Sequence, residues 1–334
     1  MRIAIFFSAI IFIIILNLSF KPTGTSKHFT IQQLAPGVWA AINNDNYGHA
    51  ICNAGIVDLG DKTLVYDPFM NLDAAIDLKR IAKKLTNKEA TIIINSHYHN
   101  DHIRGNQVFV PASIISSNYT RGKIMESEPK ELAWEKTNAP TFAAREKDKL
   151  KNASPKEKEE ITLWIGYYEA MVINGPNTKT TLPTLTFNDS LWIHGSNKSV
   201  LLVEYKNGHT KSDVVLKIPK DGVVFMGDLL FTNRHPYLGH GIPAKWINHL
   251  DEMIADDNLK QYLPGHGGVS NKADVKAMRH YIVDVQQLVT DSYKRNQPDS
   301  LIKKSAIPAA YTDWKFGRFF PSNLNFLIKH LKRE

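Results

Sequence analysis

The segment His97-Tyr98-His99-Asn100-Asp101-His102 constrains this chain more than any other stretch. It follows directly on Thr91-Ile92-Ile93-Ile94-Asn95, whose β-branched run reads as a buried strand. Three imidazoles and a carboxylate therefore sit where a central strand ends and the chain turns. Neutral imidazole nitrogen and carboxylate oxygen are the donors that Zn²⁺ takes when thiolate is absent. On an extended loop His97 and His99 point one way, while Asp101 and His102 turn toward a second point. The spacing suits two adjacent metals.

Further ligand-type residues recur downstream in matching contexts. His209 stands in Asn207-Gly208-His209-Thr210, just before the strand-like residues 213–219. Asp228 ends the apolar run Val223-Val224-Phe225-Met226-Gly227-Asp228. His266 sits in Tyr262-Leu263-Pro264-Gly265-His266-Gly267-Gly268, a short strand breaking into a glycine-rich turn. Taken singly, each is an ordinary turn residue. Their ordered recurrence beside apolar runs places them at strand ends along one sheet edge, where such side chains converge.

This pattern resembles the metallo-β-lactamase superfamily of metallohydrolases, and the resemblance covers nearly the whole chain from Phe29 to Gly268. It implies an α/β fold, a four-layer αββα sandwich with a dinuclear metal site on one rim. It also implies that His97, His99 and His209 hold the first metal and Asp101, His102 and His266 the second, with Asp228 bridging. Asp67, in Leu64-Val65-Tyr66-Asp67-Pro68, corresponds to a family aspartate that supports the ligand loop from behind. A strand-terminating Asp-Pro turn is the other reading of the same residue.

Two zinc ions so held lower the pKa of a shared water toward about 7 and polarise a substrate oxygen. The expected activity is hydrolysis of an ester, thioester, amide or lactam, or phosphoester by a metal-bound hydroxide. Asp101 would orient that nucleophile, and β-lactamase-like activity is a special case. Oxygen-reducing relatives with di-iron sites carry glutamate where this chain has His99, which favours zinc, although an all-N/O donor set also accepts iron or manganese. One large group of zinc β-lactamases has cysteine at the Asp228 position. Glyoxalase II shares all seven ligands, but its Gly-Cys-Gly-Arg segment is replaced here by residues 229–240. In that stretch Asn233, His235, Tyr237 and His240 are candidate substrate contacts, as is His49 in an early loop. Two rival readings are an iron-dependent oxidoreductase of sulfur compounds on the same fold, and a non-catalytic exported accessory protein. Seven competent ligands weigh against the second.

The 334 residues, 43% of them hydrophobic, suffice for one large domain over residues 29–334. The net charge of +8 is spread along the chain. Its lysine clusters at residues 147–158 and 329–333 lack the interleaved aromatics of a nucleic-acid platform, so they read as solvated faces and the expected partner is a small-molecule substrate. No sequence feature sets an oligomeric state. The single cysteine, Cys52, excludes an intramolecular disulfide and a thiolate-rich metal site. Residues 1–20 combine a basic start with an apolar run over Ile3–Leu18 broken only by Ser8 and Asn17. They read as a secretory signal or an uncleaved membrane anchor, followed by a polar linker over residues 21–28. The expected location is periplasmic or otherwise extracytoplasmic.

Along the domain, strands are expected over residues 31–42, 50–57, 63–66, 91–95 and 113–116, with helices over 71–85 and from 102 to 109. Residues 119–175 are rich in Lys, Glu and Ala at helical spacing. They are expected to form a helical insertion between the two halves of the sandwich, lying over the metal rim or padding the outside. Strands resume at 185–187, 191–194 and 200–205, and helices are expected at 242–256 and 272–295. A C-terminal extension over residues 291–334, punctuated by Pro298, Pro308 and Pro321, should close the domain with short helices.

Overall fold

The computed structural model describes residues 26–332, so the leader expected over residues 1–20 lies outside them. The first sheet opens with a hairpin of β1 (Phe29–Ala35) and β2 (Val38–Asn43). Residues 31–42, expected as one strand, thus fold back at Pro36-Gly37, where Gly37 takes a φ of 74° that its missing side chain permits. β3 (Ala54–Asp58) and β4 (Thr63–Tyr66) extend the antiparallel run. Helix α1 (Leu72–Thr86) then crosses back to β5 (Ala90–Ile94), which lies parallel to β4. Asn71 caps α1, its side-chain oxygen accepting from the Ala74 amide at 2.9 Å.

The expected helix over 102–109 is two single turns, α2 (Asn100–Ile103) and α3 (Asn106–Phe109). They part at Gly105, where a Cβ would meet the Pro68 carbonyl at 1.9 Å. After β6 (Ser113–Ser117) come α4 (Asn118–Leu150) and α5 (Pro155–Asn174), then β7 (Leu185–Phe187). The long helices therefore fall within the first sheet rather than between the two halves. β6 and β7 are parallel neighbours, and a parallel pair needs a crossover connection.

The second sheet contains β8 (Ser190–His194), β9 (Ser199–Lys206), β10 (Ser212–Ile218), β11 (Val223–Phe231) and β12 (Gln261–His266). Its order is β12-β11-β10-β9-β8, with β11 and β12 parallel through α6 (Pro243–Ala255). The chain finishes with α7 (Lys272–Lys294), α8 (Asp299–Ile302) and α9 (Phe319–Leu331).

Four layers result. Val57, Leu64 and Ile94 of the first sheet face Val214, Leu216 and Phe225 of the second in one buried cluster. α1 covers the outer face of the first sheet, its Ala75, Leu78 and Ile81 packing with Ile56, Val65 and Ile93. α6, α7 and α9 cover the second sheet through Trp246, Tyr281 and Leu324. Central strands buried on both faces are continuously apolar rather than alternating, which is why β11, buried along its whole length, stands out in the sequence. The αββα architecture and the helical C-terminal extension are those expected. No helix among the described residues is long and apolar enough to cross a membrane.

Candidate metal centre

The two sheets are pinned together at one rim. The Tyr66 hydroxyl donates to the Val214 carbonyl at 2.6 Å, and the Val214 amide donates to the Ser96 carbonyl at 2.7 Å. At this rim β4, β5 and β12 end, while β11 runs on to Phe231 and delivers Asp228, expected at its terminus, from an irregularity at Gly227 inside the strand. Just past β4, Asp67 adopts a φ of 53°, a left-handed conformation that aspartate tolerates better than most residues. Its Oδ1 accepts from the Ser96 amide at 2.7 Å, and its Oδ2 lies 2.9 Å from His102 Nδ1. Nε2 of His102 is thereby turned toward Asp101 Oδ2 at 3.3 Å and Asp228 Oδ1 at 3.2 Å.

The loop after β5 carries the remaining groups of the first motif. His97 is fully buried, with Nδ1 2.8 Å from Ser96 Oγ and Nε2 3.8 Å from Asp228 Oδ2. His99 presents Nδ1 to His209 Nε2 at 3.0 Å, while its Nε2 lies 2.9 Å from His240 Nδ1. A side-chain amide pair, Asn95 with Asn106, braces the base of this loop, and Asn95 Nδ2 also donates to the His102 carbonyl at 3.3 Å.

Asp228 stands at the centre. Its Oδ2 is 3.3 Å from His209 Nε2, and its Oδ1 is 3.3 Å from His266 Nε2. One carboxylate thus offers one oxygen to His97 and His209 and the other to His102 and His266. Asp101 Oδ2 closes the second group, 3.4 Å from His266 Nε2. Glycine is required beside it, because a Cβ at Gly265 would stand 1.9 Å from Asp228 Oδ1. Asn53 fixes the same turn by donating to the carbonyls of Pro264 and Gly267 at 2.9 and 2.8 Å.

These residues suit a metal on their own chemistry. His97, His99, His209 and Asp228 gather their donor atoms within 4.8 Å of one another, as do His102, Asp228 and His266. His97 Nε2, His102 Nε2 and Asp228 Oδ1 are buried without a hydrogen-bond partner, a costly state unless a cation takes up their lone pairs. Burial holds His97 and His99 well below the usual imidazole range and His209 at about 4, keeping the neutral form that ligates. At His102 burial acts the same way, but the charges of Asp101, Asp228 and Asp67 outweigh it and push the ring well up. That acidic side of the cluster calls for positive charge.

All seven expected ligand positions therefore meet at one focus, with Asp67 behind His102. The expected substrate contacts divide. Tyr237 and His240 line the cavity that opens onto the cluster. His49, Asn233 and His235 do not. His49 is buried against Asn71 at 3.4 Å and stacked on Tyr47. His235 is fully buried with Nδ1 3.0 Å from the Tyr281 hydroxyl, and so belongs to the packing of α7. Asn233 is an exposed left-handed turn residue whose carbonyl accepts from the Lys315 amide at 3.0 Å.

The cavity has a volume of about 340 Å³. Its walls come largely from residues whose role the sequence did not disclose: Trp164 and Tyr167 of α5, Glu131 of α4, and Phe316 and Phe319 of the C-terminal extension. Glu160 joins the two sides, accepting from Trp164 Nε1 at 2.7 Å and from the Phe316 amide at 2.8 Å. The helical insertion is thus part of the metal rim rather than outside padding. A run of aromatics near the C-terminus was the available signal, but nothing local tied it to a strand end far upstream. Cys52 is buried with Sγ donating to the Asp101 carbonyl at 2.9 Å, so it supports the ligand loop.

Comparison with known proteins bears on this centre. Residues 47–266 match the family model described as the metallo-beta-lactamase superfamily. A search of curated proteins by sequence found no match. Among solved structures, a metallo-beta-lactamase from Pontibacter korlensis aligns at 13% identity and a TM-score of 0.52, over 75% of this chain and 99% of that one. The DIM-1 metallo-beta-lactamase aligns at 13% identity and a TM-score of 0.53, over 77% and 98%. The FIM-1 enzyme from Pseudomonas aeruginosa, in its mono-zinc form, aligns at 15% identity and a TM-score of 0.51, over 77% and 95%. At such identities the likeness is one of fold.

Proposed function

The chain belongs to the metallo-β-lactamase superfamily, and we propose that it is a metal-dependent hydrolase of a small-molecule substrate, working with two zinc ions. The observation that carries this reading is the division of Asp228 between two sets of imidazoles, Oδ2 toward His97 and His209 and Oδ1 toward His102 and His266. With His99 and Asp101 added, each set offers nitrogen and oxygen donors of the type zinc prefers. The mono-zinc FIM-1 structure lends zinc some support as the resident metal.

Bound metals of this kind supply Lewis acidity toward a carbonyl or phosphoryl oxygen and a strong oxygen nucleophile at neutral pH. The protein's own contribution is orientation and exclusion of water. Asp101 lines the cavity, and its carboxylate accepts hydrogen bonds from a nucleophile approaching beside His102 and His266. His240 holds His99 from the far ring nitrogen, leaving Nδ1 to face the focus. The aromatic walls lower the local dielectric, which strengthens each of these interactions. The bond cleaved is an ester, thioester, amide or lactam, or phosphoester. The apolar segment of residues 1–20 supports export, with the domain acting outside the cytoplasm.

Metal analysis of the purified chain, coupled to a panel of activated esters, thioesters, phosphodiesters and a chromogenic cephalosporin, tests the proposal. Two zinc per chain with turnover of at least one substrate class is the expected result. Iron with substrate-dependent oxygen consumption would replace hydrolysis by sulfur oxidation. Inertness of fully loaded protein toward the whole panel would leave a binding protein.

A further inference from the structure

The cavity beside the metal centre carries information about charge. Setting aside the proposed ligands, its lining holds six aromatic residues and one carboxylate, Glu131, and among the described residues no lysine or arginine. Glu131 projects from α4 and is partly buried. Burial raises its carboxyl above the ordinary range, the nearby Arg104 opposes that, and Glu135 adds to it. Arg104 is already engaged by Glu128 at 2.7 Å and Glu135 at 2.6 Å. Lys123, on the same helix, is paired with Glu126 at 3.2 Å. Glu131 thus faces the cavity with no ion pair among the contacts described, its charged form favoured by Ser127 and by the more distant Arg104 and Lys123.

A wall of this kind suits one class of substrate. Away from the metal positions, a substrate carboxylate would stand in an apolar chamber against a like charge, with no guanidinium or ammonium in the lining to receive it. A substrate ammonium would gain a charge-assisted hydrogen bond to Glu131 and the π-faces of the surrounding rings. Two of those rings are already covered on one side: the Arg318 guanidinium lies 4.1 Å from the Trp164 centroid and Arg234 lies 5.4 Å from that of Phe316. Tyr167 and Tyr237 line the cavity with no cation over them among the contacts described, although Trp164 and Tyr168 pack against the first ring and His240 and Phe319 against the second.

We propose that Glu131 is a specificity-determining residue, and that the substrate carries an ammonium group on an apolar stem seated between Glu131 and the aromatic wall. This rests on the reading of the rim as a metal-dependent active site but is tested by binding rather than turnover. Isothermal titration calorimetry of the metal-loaded full chain with 2-phenylethylammonium and its uncharged analogue 2-phenylethanol compares two stems that differ in the cation. The ammonium should bind about tenfold more tightly, the worth of one hydrogen bond between charged groups. Glu131→Gln should remove most of that ratio, and Glu126→Gln, an exposed carboxylate on the same helix, should leave it intact. An alcohol bound as tightly as the ammonium, a ratio unmoved by Glu131→Gln, or binding of neither ligand overturns the proposal. Metal content and panel turnover are measured separately, so a failed hydrolase reading and a failed charge preference give different records.

Discussion

The carbonyl of Ile51 accepts a hydrogen bond from Nδ1 of His266 at 2.9 Å, joining residues 215 positions apart. A carbonyl can only accept, so the contact fixes the proton on Nδ1 and leaves Nε2 bare toward Asp101 and Asp228. Ile51 reaches this position with a φ of 58°, a rare conformation for a β-branched residue that costs on the order of 1–3 kcal/mol. On the opposite side Asp67 performs the same task for His102. Both imidazoles of the second group are therefore oriented from behind.

Asp67→Ala removes the acceptor at His102 Nδ1 and frees the ring to rotate. Metal affinity of the second group should fall by about 10–100-fold with the first largely retained. Competition against a chromophoric chelator reads this directly. Equal affinity in both proteins would mean that packing alone orients His102.

Gly265→Ala places a methyl group 1.9 Å from Asp228 Oδ1. Because that carboxylate serves both sets of imidazoles, metal stoichiometry should fall at both positions while circular dichroism stays native. Gly268→Ala, whose Cβ would meet nothing within 4 Å, is the control and should bind metal normally. Full occupancy in Gly265→Ala would contradict the shared role of Asp228.

Arg104 ties the metal loop to α4, donating through Nε to Glu128 and through Nη1 to Glu135, while Asn100 donates to Glu135 at 2.9 Å. All three charged groups are buried. Arg104→Met leaves two uncompensated carboxylates and should cost about 3–5 kcal/mol in urea denaturation. Adding Glu128→Gln and Glu135→Gln to Arg104→Met should recover much of it. A single variant as stable as the parent would show that water reaches the triad.

Asp45 accepts from Arg234 at 2.6 and 2.8 Å and from Lys315 at 2.8 Å, linking an early loop to the C-terminal extension. Burial works to raise its carboxyl, but the two cations overcome it and hold the group below the usual aspartate range. A depressed folded-state pKa adds stability that is present above the unfolded value, about 3.9, and lost as pH falls through the folded one. Asp45→Asn should therefore be less stable by about 2 kcal/mol at pH 7, with the gap closing below pH ~4. Thermal melts of both proteins across pH 3–7, in chelator so that metal loss does not intervene, give the comparison. A pH-independent gap would assign the loss to packing.

The sequence by itself determined the strand ends and what they carry. β11 is buried along its whole length and β5 ends in the buried pair Ile93-Ile94, so their apolar runs make the His residues after β5 and the Gly-Asp pair within β11 conspicuous. Those signals are local, and a sheet rim turns them into a site with little further instruction. Tertiary structure alone decided which rings and carboxylates surround it. His235, a plausible substrate contact in sequence, is taken into the α7 interface by Tyr281, whereas His240, five residues on, reaches the ligand loop. Phe316, Trp164 and Glu131 become neighbours of the metal rim only because two distant segments fold over it. Their positions depend on contacts such as Glu160 to Phe316, spanning 156 residues, for which a single sequence carries no periodicity, turn or spacing.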